Sequence, residues 1–522
     1  MNMSEPGDES SDQHVQLTRG VSYLIVQNLG VNVILVVSFV ILARLISPAD
    51  MGILALLQLV NATCQTFLTW FGQAVTKYVA ENTSIESRGA PFYQALRVTV
   101  AVYVPVVIVI FFGSTFLALH VLGSSTYSNL FNWLAIDVIF FGGIAPISSA
   151  ALLGLRKFRE IALVGLVFGG FVRQFLILAL IIALRNFVGL VIAWSVSDAA
   201  TGIIYTYLAM RALGPPRFDF PLRKLTHYSA PLELANIVTY AQTWFDRALL
   251  ALFVPLAILG VYNAALVAFG ALASVTTAMT NMLFSALSSI AGDPLNVRNA
   301  VRLATRYSCL TLTPLAFILM ATSKPALTLF VGSEYVGGYV PLMVICCALG
   351  LVAFGTALGP LYWALEKTTL SAVITGLTIL ISLGAAYFLL PELGIVGAAI
   401  SRAIAIILGA VFGVLFLRRK MTLDLDISII TRTIFAAIVM AAAVLGVQFL
   451  WYSKFLLPVY LSVGVVIYLA MLRLLNVVEA ADLDLLRRFL GGRLSFISKI
   501  LGLVLLPSAV RNSALTKPPT NP

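Results

Sequence analysis

Residues 97–120 read RVTVAVYVPVVIVIFFGSTFLALH, and stretches of this kind determine the class of fold. No charged side chain lies between Arg97 and His120. About 20 consecutive apolar residues are enough for an α-helix to cross the hydrocarbon core of a bilayer. Comparable blocks recur along the whole chain, and they predict about fourteen membrane-spanning helices. The predicted spans lie near residues 21–43, 51–71, 97–120, 130–153, 160–184, 187–210, 228–253, 258–289, 306–330, 339–364, 369–390, 394–417, 427–451 and 455–475.

The overall composition leads to the same class. Of the 522 residues, 60% are hydrophobic and only 11% are charged, and the mean hydropathy is +1.00. A soluble domain is expected to be about one quarter charged, so this chain has too little polar surface to fold in water. The connections between the predicted spans are also too short to form a soluble catalytic domain. The sequence therefore predicts an all-α, polytopic membrane protein that is not an enzyme.

The distribution of basic residues predicts the orientation in the membrane. With the N-terminus in the cytoplasm, most of the 33 lysine and arginine residues fall in cytoplasmic segments, and the outer loops contain only Arg44, Arg185, Lys324 and Lys454. Cytoplasmic segments of membrane proteins are enriched in these residues. We therefore expect both termini in the cytoplasm and the protein in the cell (plasma) membrane. The same rule explains the net charge of +11 without a nucleic-acid partner.

Matching segments at a nearly constant offset indicate an internal repeat. Gly52, after the first predicted span, recurs as Gly260 after the seventh, and the turn at 155–157 recurs at 365–367. Parallel repeats are one of the plans used by transporters, with the substrate site between the halves. We therefore predict two pseudo-symmetric six-helix lobes followed by a helix pair. The predicted parts are a disordered cytoplasmic tail at 1–18, an N-lobe of helices 1–6 at 19–213, a C-lobe of helices 7–12 at 214–420, helices 13 and 14 at 421–476, and an amphipathic cytoplasmic tail at 477–522.

Ionisable side chains in the membrane interior are costly and mark candidate functional sites. At mid-depth in the predicted spans the sequence places three bases and four acids. The bases are Arg173, Arg247 and Arg402. The acids are Asp137, Asp198, Glu233 and Asp246. Each of them is expected to have an opposite charge, a water-filled cavity or a ligand beside it.

The roles of these charges stay open at the level of sequence. Arg173 and Asp198 lie at about the same depth in the hairpin of the fifth and sixth spans. They can form a buried ion pair, or they can face a cavity and separate when an anion arrives. Arg402 has no acid at matching depth in its own hairpin, which favours a ligand-facing role. Asp246 and Arg247 are adjacent and therefore point to different sides of one helix.

Neutral polar residues cluster in the first two spans. They are Gln27, Asn28, Asn32, Asn61, Gln65 and Gln73. Such residues indicate either a wet face or hydrogen bonds between helices. The sequence predicts no cofactor and no metal site, because it has no phosphate-binding loop, its three histidines are scattered and its four cysteines lack metal-ligand spacing.

Several short segments resemble those of one known family. Residues 41–55, ILARLISPADMGILA, resemble the exit of the first helix in polysaccharide biosynthesis proteins, the lipid-linked oligosaccharide flippases. Met51 stands where that family usually has an aromatic residue. Residues 246–250, DRALL, and residues 260–265, GVYNAA, resemble the exit of the family's seventh helix. Residues 391–399, PELGIVGAA, resemble the entry to its twelfth helix.

This resemblance implies membership of the multidrug/oligosaccharidyl-lipid/polysaccharide exporter superfamily. Its members look like two six-helix lobes around a central cavity that opens alternately to each side. The two additional C-terminal helices resemble those of the fourteen-helix members that act on lipid substrates. Family flippases commonly line the cavity with basic residues that meet the lipid diphosphate. The resemblance carries this role to Arg173, Arg247 and Arg402.

The sequence thus predicts a flippase that moves a polyprenyl-phosphate- or diphosphate-linked oligosaccharide or polysaccharide precursor from the inner to the outer leaflet. The expected partners are this lipid-linked glycan, membrane lipid and a coupling cation, the last at Asp137, Asp198, Glu233 or Asp246. The alternative is a cation-coupled multidrug or metabolite antiporter of the same fold, which the four buried acids favour. A membrane-embedded glycan polymerase or glycosyltransferase is a more distant alternative, which the lack of a large outer loop disfavours.

Overall fold

The computed structural model describes residues 23–478, except for residues 25, 29, 82–86, 185, 289–293 and 420–424. Within these residues every regular element is a helix. The predicted tails at 1–18 and 477–522 lie outside the described residues, apart from Val477 and Val478. The prediction of an all-α, polytopic membrane protein is confirmed.

Twelve helices among the described residues are long and apolar enough to cross a membrane. They are Pro48–Leu68, Ala90–Phe112, Ser125–Gly154, Phe158–Leu184, Val188–Leu213, Leu256–Ser288, Val297–Val331, Ser333–Leu351, Thr369–Leu393, Ile395–Arg418, Ile427–Leu450 and Lys454–Leu474. The first and seventh predicted spans are not among them. The first corresponds to the shorter helix Val26–Leu42, and the seventh to Leu222–Phe253, which has polar and charged residues along its length. These two exceptions are the first helices of the two predicted halves, and the count of fourteen spans stays a prediction.

The chain divides into two compact units, residues 1–260 and residues 261–522. The helices that lie wholly in the first unit are α1 (Val26–Leu42), α2 (Pro48–Leu68), α3 (Gly72–Glu81), α4 (Ala90–Phe112), α5 (Ser114–Leu122), α6 (Ser128–Asp137), α7 (Ala145–Gly154), α8 (Phe158–Val164), α9 (Arg173–Leu184), α10 (Val188–Leu213) and α11 (Leu222–Phe253). The later helices are α12 (Leu256–Ser288), α13 (Pro294–Ala326), α14 (Tyr339–Leu351), α15 (Leu358–Ala364), α16 (Thr368–Leu393), α17 (Ile395–Arg418), α18 (Ile427–Leu450) and α19 (Leu457–Leu474). The lobe boundaries predicted from the sequence stay predictions.

Three of these helices continue through π-helical turns. Val138–Ile144 joins α6 to α7, Gly165–Val172 joins α8 to α9, and Leu327–Val331 follows α13. The first two segments contain adjacent glycines. A π turn widens the helix and leaves backbone groups less tightly paired, and such turns are frequent at functional sites.

The start of α2 is fixed by its sequence. The Ser47 hydroxyl accepts a hydrogen bond from the Asp50 backbone N–H at 3.2 Å, and the Asp50 carboxylate accepts one from the Ser47 backbone N–H at 3.2 Å. This reciprocal capping satisfies two free donors at the helix end, and Pro48 is preset for the first turn. Residues 41–55, which resemble the exit of the family's first helix, therefore contain the capped start of α2.

Two glycines allow α2 and the start of α12 to approach closely. A β-carbon at Gly52 would overlap the carbonyl of Leu256, and a β-carbon at Gly260 would overlap the carbonyl of Pro48. The contact is reciprocal, since each glycine lies against the carbonyl four residues before the other. Reciprocity of this kind is expected where two equivalent segments of a repeat meet, and close backbone contact is the usual role of glycine between membrane helices.

The repeated turn found in the sequence also has the same local structure in both units. Arg156 and Glu366 adopt left-handed backbone conformations, with φ of 57° and 58°. The next residue, Lys157 or Lys367, donates its backbone N–H to the carbonyl five residues earlier, at 2.9 Å and 2.8 Å. This pattern ends a helix by satisfying its last free carbonyls. The turns at 155–157 and 365–367 are therefore structurally equivalent.

The helix pair α18 and α19 is an integral part of the second unit, because it packs against α13. Gln448 Nε2 donates to the Ala321 carbonyl at 2.8 Å, and Arg306 Nη2 donates to the Val477 carbonyl at 3.2 Å. Between these bonds lies a buried apolar cluster to which all three helices contribute, with Tyr460 fully buried in it. The hydrogen bonds at both ends and the apolar cluster between them hold α18 and α19 in one register against α13.

Candidate functional site

Four helices of the first unit bring buried charges together. Asp137 is the last residue of α6, directly before a π segment, and Arg173 is the first residue of α9, directly after another. Asp198 lies on α10, and Asn61 lies on α2. We call these four residues the charge network.

Arg173 is held by an acid and two aromatic rings. Its Nη2 atom lies 3.4 Å from Asp198 Oδ2, and the two side chains are only 18% and 4% exposed. The guanidinium lies over the rings of Phe141 and Trp194, at 5.6 Å and 5.2 Å from the ring centroids. Cation–π contacts of this length stabilise a buried arginine. The structure thus contains the ion pair that the matching depths of the two residues indicated.

Asp137 joins the network from the opposite side. Its side chain is fully buried, and its Oδ2 accepts a hydrogen bond from Asn61 Nδ2. Its carboxyl group also lies within hydrogen-bonding reach of the Asp198 carboxyl. Two carboxyl groups therefore share the neighbourhood of one guanidinium. This contact between two acids could not be predicted from the sequence, because residues 137 and 198 lie on spans that are not neighbours in the chain.

Asp246 and Arg247 lie on α11 and differ in exposure, as their adjacency indicated. Asp246 is fully buried, and its Oδ1 accepts a hydrogen bond from the Arg247 backbone N–H at 2.9 Å. The Arg247 guanidinium is half-buried and lies 4.3 Å from the centroid of the Trp244 ring. Both residues have further partners. Trp244 lies three residues before Arg247, so helical spacing alone could have indicated this contact.

Glu233 lies nearer the start of α11. Its side chain is buried, and its Oε2 accepts a hydrogen bond from Asn236 Nδ2 at 3.2 Å, within the same turn of helix. The amide and threonine side chains that follow Glu233 along this helix are exposed. They are Asn236, Thr239, Gln242 and Thr243. A membrane-spanning helix that exposes amides and hydroxyls to lipid would be costly, so this face is suited to water or to a polar ligand.

Several aromatic and hydroxyl contacts of the first unit could not be foreseen from the sequence. The hydroxyls of Thr63 on α2 and Tyr240 on α11 share a hydrogen bond, and Tyr240 also makes an edge contact with Phe67 at 5.9 Å between centroids. Thr69 and Tyr103 share a hydrogen bond of 2.6 Å beside the first π segment. Isolated hydroxyls in apolar spans give no sequence signal that identifies their partners.

Arg402 is the only one of the three predicted bases in the second unit. It lies on α17, is half-buried and has an interaction partner. Its neighbour Ser401 donates its hydroxyl to carbonyls of the same helix, at 3.0 Å and 2.9 Å. The role of Arg402 in binding substrate, like those of Arg173 and Arg247, stays a prediction.

Metal ligation has no support among the residues that the structure describes. In that part of the chain, no group of three or more His, Cys, Asp or Glu side chains is placed to hold a metal ion. The free cysteines that the structure describes are Cys64, Cys309, Cys346 and Cys347.

Comparison with known families identifies the chain. A family model described as polysaccharide biosynthesis protein matches residues 41–339, more than half of the 522 residues. The chain belongs to this family. The resemblance found in the short helix-exit segments is therefore confirmed. A relative from Haloferax volcanii, named "Probable low-salt glycan biosynthesis flippase Agl15", is 22% identical over 294 residues, which cover 56% of this chain and 60% of that protein. The chain thus matches less than two thirds of that relative.

Solved structures show the fold of this family member. The lipid II flippase MurJ in an inward closed conformation superposes with a TM-score of 0.67 at 14% identity, over 86% of this chain and 97% of MurJ. An inward-facing multidrug resistance transporter of the MATE family, of the MOP superfamily, gives a TM-score of 0.61 at 15% identity, over 77% of this chain and 98% of that one. At such identities the likeness establishes the fold alone. The chain has the fold shared by MurJ and MATE transporters.

Proposed function

We propose that this protein is a flippase that moves a polyprenyl-(di)phosphate-linked oligosaccharide or polysaccharide precursor from the inner to the outer leaflet by alternating access. The observation that carries the proposal is membership of the polysaccharide biosynthesis protein family. Two further comparisons support it. The Haloferax volcanii relative is named as a glycan biosynthesis flippase, and the fold is shared with a lipid II flippase.

The physical task of such a protein is to carry a charged headgroup through the bilayer. A phosphate cannot cross hydrocarbon unaided, because its hydration is lost without compensation. Arginine can replace that hydration with charge-assisted hydrogen bonds. Arg247 and Arg402 are half-buried, so their guanidinium groups are suited to this role. Arg173 would need to leave Asp198 to take part.

The polar face of α11 suits the glycan part of the same substrate. Sugars present hydroxyls, which exchange hydrogen bonds with amide and hydroxyl side chains. Asn236, Thr239, Gln242 and Thr243 offer those groups on an exposed face. The apolar polyprenyl tail would stay in the surrounding lipid.

The proposed arrangement in the membrane has fourteen spans, in two six-helix lobes and a C-terminal pair, with both termini in the cytoplasm of a plasma-membrane protein. Single cysteines at the exposed positions Asp219 and Tyr452 test this orientation, in a chain whose four native cysteines are replaced by alanine. An impermeant thiol reagent added to intact cells should label Tyr452→Cys and leave Asp219→Cys unlabelled until the membrane is permeabilised. The reverse pattern of labelling would contradict the orientation.

Transport is tested with purified full-length protein in proteoliposomes that contain a fluorescent polyprenyl-diphosphate-linked oligosaccharide. An impermeant reductant bleaches only the outer-leaflet label, so flipping makes the protected half of the label accessible. We expect bleaching beyond that of empty liposomes, and no such effect with a fluorescent phospholipid that lacks the glycan. Protection of the glycan lipid equal to that in empty liposomes would contradict the proposal.

A cation-coupled antiporter is the second candidate. The observation that favours it is the charge network, where two acids and one base leave an excess of negative charge if both acids are ionised. The same proteoliposomes, loaded with a fluorescent organic cation, distinguish the two functions. Gradient-driven efflux of the organic cation without flipping of the glycan lipid would replace the flippase with the antiporter.

A further inference from the structure

The charge network contains an imbalance of charge in a buried place. Asp137 and Asp198 are 0% and 3% exposed, and Arg173 is the one base that contacts them among the described residues. Asn61 on α2, the fourth residue of the charge network, is neutral and contacts Asp137. With both acids ionised the network would have one uncompensated negative charge, and a buried charge without a partner is strongly disfavoured.

Several buried acceptor atoms of the charge network also have no hydrogen-bond donor among the described residues. Asp137 Oδ1, Asp198 Oδ2 and Asn61 Oδ1 are buried and have no hydrogen-bond donor in the described structure. Asp198 Oδ2 lies at ion-pair distance from Arg173, but this contact does not have hydrogen-bond geometry. Buried acceptors without a donor are rare in folded proteins. The network therefore lacks a donor as well as a positive charge.

A single proton supplies both a donor and the missing positive charge. Two carboxyl groups within hydrogen-bonding reach are bonded to each other only when one of them has a proton, because an ionised carboxylate can only accept. Carboxyl groups in contact share one proton in known acid pairs. The remaining carboxylate then balances Arg173. No larger ion is needed to satisfy the contact between Asp137 and Asp198.

The backbone around the network is suited to a change of arrangement. Asp137 directly precedes one π segment and Arg173 directly follows another, so both charges adjoin turns with looser backbone pairing. The Thr69 hydroxyl donates to the Gly142 carbonyl within the first of these segments. Loss of the proton would leave two anions in contact, and their repulsion would act directly on the two π segments.

We infer that Asp137 and Asp198, positioned by Asn61 and Arg173, form a site that binds and releases one exchangeable proton. The site is complete within the first unit. Coupling of this exchange to the movement of a lipid-linked glycan rests on the proposed function, whereas proton binding itself does not. In the coupled cycle the proton enters from the outer solution and leaves to the cytoplasm.

Infrared difference spectroscopy of the purified full-length protein tests the site without any substrate. A protonated, buried carboxyl has a C=O band that an ionised one lacks, and a rise in pH should remove this band from the wild type. Asp137→Asn should lack the band at every pH, because the remaining Asp198 is balanced by Arg173. Asp198→Asn should lack it too, with Asp137 balancing Arg173. Asp219→Asn, which changes an exposed acid of the same unit, should retain it.

Three results would overturn the inference. The first is a wild type without a carboxyl band that responds to pH. The second is a band that persists in either single variant when that variant is folded. The third is loss of the wild-type band on addition of Na⁺ at constant pH, because the site would then be a sodium site. Using two single variants keeps the test decisive if one of them fails to fold, since either variant alone predicts loss of the band.

Flipping under an imposed pH gradient tests the coupling separately. Wild-type flipping should rise when the outer solution is made acidic, and Asp137→Asn should flip at a rate that does not respond to the gradient. A wild type that shows the carboxyl band but no flipping retains the proton site and contradicts the flippase. A gradient response that is unchanged in Asp137→Asn contradicts the coupling and leaves the flippase intact.

Discussion

The hairpin α9–α10 in the first unit and the hairpin α16–α17 in the second have the same helix contact but different charges. In the first, Gly189 lies against the backbone of Leu180. In the second, Gly397 lies against the backbone of Leu389. Both glycines occur just after the connection, where the second helix of the hairpin begins. The two halves of the predicted repeat therefore use one packing solution.

The charges at membrane depth differ between these hairpins. The first has Arg173 and Asp198 in contact. The second has Arg402, and the one acid of this hairpin, Glu392, lies at its connection, ten residues before Arg402 in the chain. Its other polar groups include Ser382, whose hydroxyl donates to a carbonyl of its own helix at 2.6 Å. Equivalent helix packing in the two hairpins is therefore accompanied by different charges at membrane depth.

Removal of Arg173 should have the largest effect on stability. Arg173→Ala would leave two buried carboxyls without a base, and breaking a buried pair in this way costs about 3–5 kcal/mol. We expect loss of well-folded protein in detergent, measured by thermal unfolding and size-exclusion chromatography. Arg402→Ala is the matched variant of the second hairpin and should cost clearly less. Equal losses of stability in the two variants would show that the half-buried Arg402 contributes as much to folding as the ion-paired Arg173.

Substitution of alanine for Gly189 or for Gly397 should lower the stability of the protein to the same extent. Gly189→Ala and Gly397→Ala each place a β-carbon against the backbone of the partner helix, and overpacking of this kind costs about 1–3 kcal/mol. Gly169→Ala and Gly409→Ala are the controls, because nothing lies within 4 Å of a β-carbon at either position. Thermal unfolding of the four variants measures this. Sensitivity in one hairpin alone would show that their packing is not equivalent.

Loss of an ion pair nearer the solvent should lower stability less than loss of the buried pair. Arg302 Nη2 lies 3.1 Å from Asp426 Oδ2 in the second unit, and the Arg302 side chain is 49% exposed. Asp426→Asn removes the charge but keeps the side-chain oxygen that caps α18. Exposed pairs contribute about 0.2–1 kcal/mol. A double-mutant cycle with Arg302→Ala measures the coupling energy of this pair. A coupling energy as large as the loss of stability expected from Arg173→Ala would show that burial does not determine how much an ion pair contributes.

The smallest predicted effect lies in the two equivalent turns. Arg156 and Glu366 occupy left-handed conformations that cost energy for any residue with a β-carbon. Arg156→Gly and Glu366→Gly should each raise stability by about 0.5 kcal/mol, because relief of that strain outweighs the greater freedom of glycine in the unfolded chain. Matching shifts in the unfolding temperature are expected. Shifts of opposite sign would show that the two turns differ in strain.

Much of the fold and part of the charge network could be predicted from the sequence. Apolar blocks and turn residues determine the helices, because the bilayer permits few other structures. The pairing of Arg173 with Asp198 followed from their equal distance to one connection. The first and seventh spans differ from the other twelve for separate reasons. The helix described in the first is apolar but short, whereas polar residues such as Asn236 lower the apolar signal in the seventh.

The remaining features of the site depend on contacts that have no local signal. Asp137 reaches Asp198, and Asn61 reaches Asp137, from spans that are distant in sequence, so these contacts are set by tertiary packing. The π segments beside Asp137 and Arg173 differ only slightly from ordinary helix in residues per turn, which hydrophobic periodicity over so short a length cannot distinguish.

Flipping by Arg402→Ala is the sharpest test of a flippase that binds phosphate through a membrane-embedded arginine. Proteoliposomes with the fluorescent glycan lipid would contain wild type, Arg402→Ala, or Arg418→Ala, which changes an exposed base at the end of the same helix. We expect flipping by wild type and Arg418→Ala, and its loss in folded Arg402→Ala. Wild-type flipping that Arg402→Ala retains in full would contradict a phosphate-binding role for this arginine, and the absence of flipping by folded wild type would contradict the flippase itself.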